Sequence, residues 1–203
     1  MKTIRATIVL ITAVIGCGGE PVERAPIDVA RCGWSDSTRL TTQGFADVQL
    51  GMAVADLTRR CDVVRDTMES LEGQAQRVVH VRVGTAIARA EIVNDSVWRI
   101  ATRDSLLRTA DGLGVGTPVS TLLASDPAWA AHGEGTIAVG LRGHCGLSFL
   151  LAPIYAAPNQ PLVVRRLSDL QKAPPETKVI EVLVVGTGHC DRGAPPEAPT
   201  SGR

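Results

Sequence analysis

Two copies of one tripeptide, Gly143-His144-Cys145 and Gly188-His189-Cys190, bring two imidazoles and two thiols into the second half of the chain. Two histidines and two thiolates satisfy tetrahedral zinc, or bind copper once the thiols are reduced. Neighbouring residues on an extended strand point to opposite faces, so His144 and Cys145 cannot both reach one ion without a bend. A disulfide flanked by two surface histidines is therefore the preferred expectation, and a metal site built from His144, Cys145, His189 and Cys190 is the alternative. With Cys17 set aside, Cys32 and Cys61 complete an even set of four, for which three pairings exist. One pair lies in each half of the chain, which favours Cys32 with Cys61 and Cys145 with Cys190. Each bridge would close a loop of tens of residues, worth about 3 kcal/mol when unstrained.

Other residues with chemical potential fall short of a catalytic set. Gly112-Leu113-Gly114-Val115-Gly116-Thr117 lacks the Lys and Ser/Thr of a phosphate loop and misses the dinucleotide spacing, because Thr117 stands where glycine is needed. It reads as a flexible lead into a helix. Ser148, in Cys145-Gly146-Leu147-Ser148-Phe149, has no Gly-x-Ser-x-Gly elbow around it and reads as a strand residue. His80 and His132 stand isolated. Asp47, Asp56, Asp62 and Asp66 spread around a helix and its flanks as a solvated face. Trp34, Trp98 and Trp129 suit core or edge packing, with binding anchors as the alternative. No catalytic pair is named and no cofactor is expected.

The first elements that bear on these residues are those that set the compartment. Lys2 and Arg5 precede the apolar stretch Ile8 to Ile15. That stretch is too short to cross a bilayer core, which takes about 20 helical residues, so it reads as a signal peptide. Val14-Ile15-Gly16-Cys17 resembles the bacterial lipobox. The resemblance implies cleavage before Cys17, diacylglycerol on its sulfur, palmitate among the attached acyl chains, and attachment to a membrane of the cell envelope. Gly18 stands where the inner-membrane retention pattern has Asp, which favours the outer membrane where a cell has two. The export route also explains why thiols would pair as disulfides rather than persist as ligands.

Residues 1–16 are thus assigned to the signal peptide, 17–31 to a lipidated tether and 191–203, rich in Pro, Gly and Ala, to a disordered tail. The charge balance is neutral, with 21 basic and 21 acidic residues, and no cationic run builds a nucleic-acid surface. At 3% aromatics the core must rest on Val, Leu, Ile and Ala.

Within 32–190 a short repeat aligns Leu50-Gly51-Met52-Ala53-Val54-Ala55-Asp56-Leu57 with Val115-Gly116-Thr117-Pro118-Val119-Ser120-Thr121-Leu122. Each copy opens a short helix with Val54 and Leu57, or Val119 and Leu122, on one face. Thr117 could cap ahead of Pro118. Strands are expected over Arg77–Val83, Thr85–Val93 and Ser96–Thr102, with Asn94-Asp95 turning between the last two. After the second helix they are expected over Thr136–Leu141, Cys145–Leu151 and Val179–Val185. Residues 152–161 read as a long loop. The fold class is therefore expected to be α+β, with two tandem units at 32–110 and 111–190, each a short helix followed by antiparallel strands.

This order, with the Gly51–Leu57 and Gly116–Leu122 elements, resembles the tandem-repeat fold of the β-lactamase-inhibitor protein. Small envelope lipoproteins of the barrel-assembly type share a single such unit. The resemblance implies a binding or assembly protein that uses a sheet face or loops. The expected function is thus a membrane-anchored, noncatalytic protein-binding or envelope-assembly module, held to lipid through Cys17 and engaging a protein partner. The alternatives are a metal-handling protein built on the two Gly-His-Cys segments and an envelope hydrolase.

Overall fold

The computed structural model of the chain describes residues 32–33, 39–71, 73–133, 135–157 and 160–186. The expected signal peptide, the tether with Cys17, Trp34, His189, Cys190 and the tail lie outside the described residues. In chain order, a two-stranded ladder of β1 (Gly44–Phe45) and β2 (Val48–Gln49) precedes helix α1 (Val54–Arg60). Four strands follow, β3 (Asp62–Leu71), β4 (Gln74–Val83), β5 (Ala86–Val93) and β6 (Ser96–Thr102). The second half runs α2 (Val119–Ala124), β7 (Pro127–Gly133), β8 (Thr136–Leu141), a 3-10 turn at Arg142–His144 and β9 (Leu147–Leu151). It closes with the small pair β10 (Tyr155–Ala157) and β11 (Gln160–Pro161), helix α3 (Leu167–Leu170) and β12 (Val179–Val184).

The expected α+β class with two helix-plus-strand units does not form. The chain is mostly β, and one antiparallel sheet of eight strands takes strands from both halves in the order β3-β4-β5-β6-β12-β9-β8-β7. The halves meet where β12 pairs with β6, setting Val182 opposite Thr102, Leu183 opposite Ala101 and Val184 opposite Ile100. Two separate sheets would each leave an unpaired row of backbone donors and acceptors at this point, and joining them removes both open edges. The helices, of seven, six and four residues, are too short to form a layer. They act as plugs: Val54 and Leu57 of α1, and Val119 and Leu122 of α2, are the side chains each buries.

Two strands escape the sequence pattern. β3 carries Asp62 and Asp66, placed by the sequence reading around a helix and its flanks, and a bulge between Val63 and Arg65 breaks its alternation. β7, Pro-Ala-Trp-Ala-Ala-His-Gly, contains no β-branched residue. The segment read as a loop over 152–161 holds the β10–β11 pair. Thr117 does not cap α2: Pro118 occupies the cap, and the Thr117 hydroxyl instead accepts the Gly114 N–H at 3.0 Å. Asn94 and Asp95 both take positive φ, 49° and 54°, as the tight β5–β6 turn requires.

The register explains how one face fills the core. Val63, Val81, Ala88, Thr102, Val182, Phe149, Val139 and Ala130 lie opposite one another in a single row across all eight strands. Six of these belong to the buried apolar cluster, with Val63 packed at its margin and Thr102 also buried. Leu40, Phe45, Val48, Leu107, Leu113, Leu162, Val164 and Leu170 cover that face from outside the sheet. Cys32 and Cys61 are bonded to each other, tying the segment before β1 to the end of α1. On the other face Trp129 lies over Gly140, its partner across the β7–β8 ladder, where an added Cβ would overlap the indole. The glycine is thus a seat for the ring.

Gly140→Ala should cost about 1–3 kcal/mol through overpacking, read from urea denaturation followed by tryptophan fluorescence. The cost should vanish in a Trp129→Ala background, and a cost that persists there would show that the ring is not its source. Replacing both Cys32 and Cys61 with Ser should lower stability by roughly 3–4 kcal/mol, since the bridge closes a loop of 29 residues. An unchanged urea midpoint would contradict this role.

Candidate functional site

The sheet face opposite the core is charged where the core face is apolar. A row across it reads Arg65, His80, Arg89, Ala101, Leu183 and Ser148, and a shorter one reads Thr67, Val78, Glu91 and Arg99. A third continues from Glu181 through Leu150 and Ala138 to Ala131. Alternation puts these side chains here because each neighbours a core residue along its strand. Val78 and Ala101 are fully shielded yet stand apart from the core cluster, which marks this face as a separately packed surface.

Its centre is an ionic network. Glu91, with 1% of its side chain exposed, accepts from Arg89 at 3.2 Å and from Arg99 Nε at 2.7 Å. Glu181, 7% exposed, is held through one oxygen by Arg89 at 3.1 Å and through the other by Arg103, whose Nη2 lies 3.0 Å away. Arg89 therefore bridges a carboxylate on its own strand and one on β12, across the junction of the two halves. A shielded carboxylate is tolerated when each oxygen meets a cation, and here all four oxygens do. Arg99 also stacks over Trp98, 5.1 Å from its centroid. Arg89 Nε and Trp98 Nε1 are buried with no hydrogen-bond partner among the described residues.

Beside this network opens a cleft of about 450 Å³, lined by Glu69, His80, Ile87, Arg89, Ala101, Arg103, Asp104 and Glu181. His80 is not isolated, as its sequence context suggested: its Nε2 lies 2.7 Å from Glu69 Oε1. The cleft walls thus carry both signs of charge over a small apolar floor of Ile87 and Ala101, an arrangement suited to orienting a polar partner.

The residues singled out from sequence fall elsewhere. His144 Nε2 sits 2.9 Å from Asp111 Oδ2, and its ring meets Phe149 edge-on. The Thr109 hydroxyl, donating to Asp111 at 2.6 Å, and secondly His144, hold that carboxyl below its ordinary range against the opposing effect of partial burial. Cys145 is disulfide-bonded, so its sulfur is not a thiolate ligand, while His189 and Cys190 lie outside the described residues. No group of three or more His, Cys, Asp or Glu side chains placed to hold a metal ion occurs among the described residues. Ser148 is buried within β9 opposite Leu183. The Gly-rich segment wraps the Arg108 guanidinium, which donates to the Gly112 and Val115 carbonyls at 2.8 and 3.1 Å. Carbonyls converge there, where a phosphate would need N–H groups.

Asp56 pairs with Arg59, Asp62 with Arg82, and Asp66 with Arg77, while Asp47 accepts the Gly33 N–H. Hydrogen bonding to Arg77 lowers the Asp66 pKa. The sequence reading missed Arg89, Glu91, Arg99, Arg103 and Glu181. Charges set inside apolar runs, as in Ala86-Ile87-Ala88-Arg89-Ala90-Glu91-Ile92 and Val179-Ile180-Glu181-Val182, were the available signal.

No protein-family model matches this chain, and no curated protein matches it. Among solved structures, the uncharacterized protein yfeY from Escherichia coli is similar in fold, with a TM-score of 0.53 and 18% sequence identity over 73% of this chain and 99% of that one. Similarity at that identity extends to the fold alone.

Proposed function

We propose that the chain is an exported, lipid-anchored, noncatalytic protein-binding or assembly module of the cell envelope, with the charged face of its sheet as the recognition surface. The observation that carries this reading is the composition of that face. It presents Arg89, Arg99, Arg103 and Trp129 together with the half-buried Leu150 and Leu183. Arg and Trp dominate the energetics of protein interfaces, and a half-buried apolar surround excludes water from their contacts. The Arg89 and Arg99 guanidinium groups are already held by buried carboxylates, so little side-chain freedom remains to be lost on binding. The leader supports the address: a basic start, a short apolar run and Val14-Ile15-Gly16-Cys17.

Intact mass spectrometry of membrane-extracted protein tests the address. The mature chain should begin at Cys17 and carry a lipid mass that a Cys17→Ala variant lacks, and an unlipidated mature chain would overturn the anchor. A photo-crosslinking residue at Ala138, on the charged face, tests the surface. It should give a discrete adduct in cells that a probe at Thr58, exposed on α1 away from that face, does not give. Identical adducts from both positions, or none from Ala138, would remove the sheet face as the recognition surface.

A further inference from the structure

The two edges of the sheet differ. β7 begins with Pro127, which has no N–H to offer; its His132 N–H donates to the Val164 carbonyl at 3.1 Å, and α3 packs against it. That edge is blunted in the ways proteins protect against unwanted pairing. β3 is different. It is ten residues long, contains no proline, and among the described residues receives no backbone hydrogen bond except from β4. Val64 and Met68, 47% and 60% exposed, project from one face of it. Arg65, on the other face, is exposed and has no ion-pair partner among the described residues.

We infer that β3 is a self-association edge, pairing antiparallel with β3 of a second copy about a two-fold axis at Thr67. In that register Arg65 of each copy faces Glu69 of the other. Glu69 has one oxygen on His80, and its second has no partner among the described residues. Thr67 faces itself, and the bulge between Val63 and Arg65 ends the matched stretch. On the opposite side, Met68 of each copy faces Asp66 of the other, whose carboxylate is held by Arg77, and lies diagonal to the other Met68, with Val64 at each end. A symmetric contact must be self-complementary, and this strand meets that demand in charge and apolar pattern together. Of the neighbouring two-fold registers, the one centred on Asp66 sets that carboxylate against its own copy at the axis, and the one centred on Met68 moves Arg65 away from Glu69 to face Leu71. Edge pairing would give the outward donors and acceptors around Arg65–Glu69 partners and turn two eight-stranded sheets into one of sixteen. The association uses the β3 edge, at the opposite end of the sheet from the crosslinking position Ala138 on β8, so the two tests fail separately.

The test uses the full chain purified in detergent, with mass followed by light scattering as a function of protein concentration. A dimer is expected. Thr67→Cys should form an intermolecular disulfide on mild oxidation, whereas Val64→Cys and Ser70→Cys should do so only when mixed, because those two positions face each other. Arg65→Glu should weaken the dimer about tenfold, since two attractive pairs become repulsive, and adding Glu69→Arg should restore it. Arg65 is exposed, so an unchanged circular dichroism melt would separate this effect from misfolding. A monomer at all concentrations overturns the inference. So does a dimer that lacks either the Thr67 cross-link or the charge reversal, since another surface or partner strand would then be responsible.

Discussion

Arg89 stands between two carboxylates that water scarcely reaches, Glu91 on its own strand and Glu181 on β12. Moving such groups out of water is costly, and the cost is offset only while every charge keeps its partners. Removing one member would leave an uncompensated buried charge, typically a loss of about 3–5 kcal/mol. The network therefore constrains more than its own residues. Since Glu181 arrives from the last strand and Arg89 from the third strand of the large sheet, their bond requires the two halves to be in register. The cleft, the row through Leu183 and the placement of Arg103 all depend on that alignment.

The same alignment explains what could be read in advance. The helices were legible because Val54 with Leu57, and Val119 with Leu122, repeat the three-residue spacing of a helical face. β4, β5, β6, β8, β9 and β12 were legible through β-branched and apolar runs. β3 was not, because charges fall on both faces and the bulge at Val63–Arg65 shifts the period. β7 was not, because alanine carries no strand preference and Pro127 argues against one; both features suit an edge. The division into two helix-plus-strand units failed for a different reason. Pairing between β6 and β12 is a contact between segments about eighty residues apart, and no local pattern encodes it.

The candidate site was less legible than the fold. Gly-His-Cys is a repeated motif, yet His144 serves as one end of a contact with Asp111, and the Cys145 sulfur is already bonded. The cleft residues carry no motif. Most meet because alternation sends every second side chain of five strands to one face, and Arg103 and Asp104 follow directly after β6. A charge inside an apolar strand is the residue-level trace of such a face, and Glu91 and Glu181 show it most clearly. The shared architecture with a bacterial protein of similar fold extends to the backbone plan and leaves recognition to the side chains of this face.

The β6–β12 junction also imposes an order in time. A chain made from its N-terminus completes β3 to β6 long before β12 exists, so β6 remains an open edge while some eighty further residues are delivered. Until then Glu181 is missing and Arg89 has only Glu91 to hold it. The last sheet strand to emerge is thus the one that closes the sheet from within. Premature pairing at β6 with a foreign strand is the hazard this topology carries, and arrival of Val182, Leu183 and Val184 is what ends it.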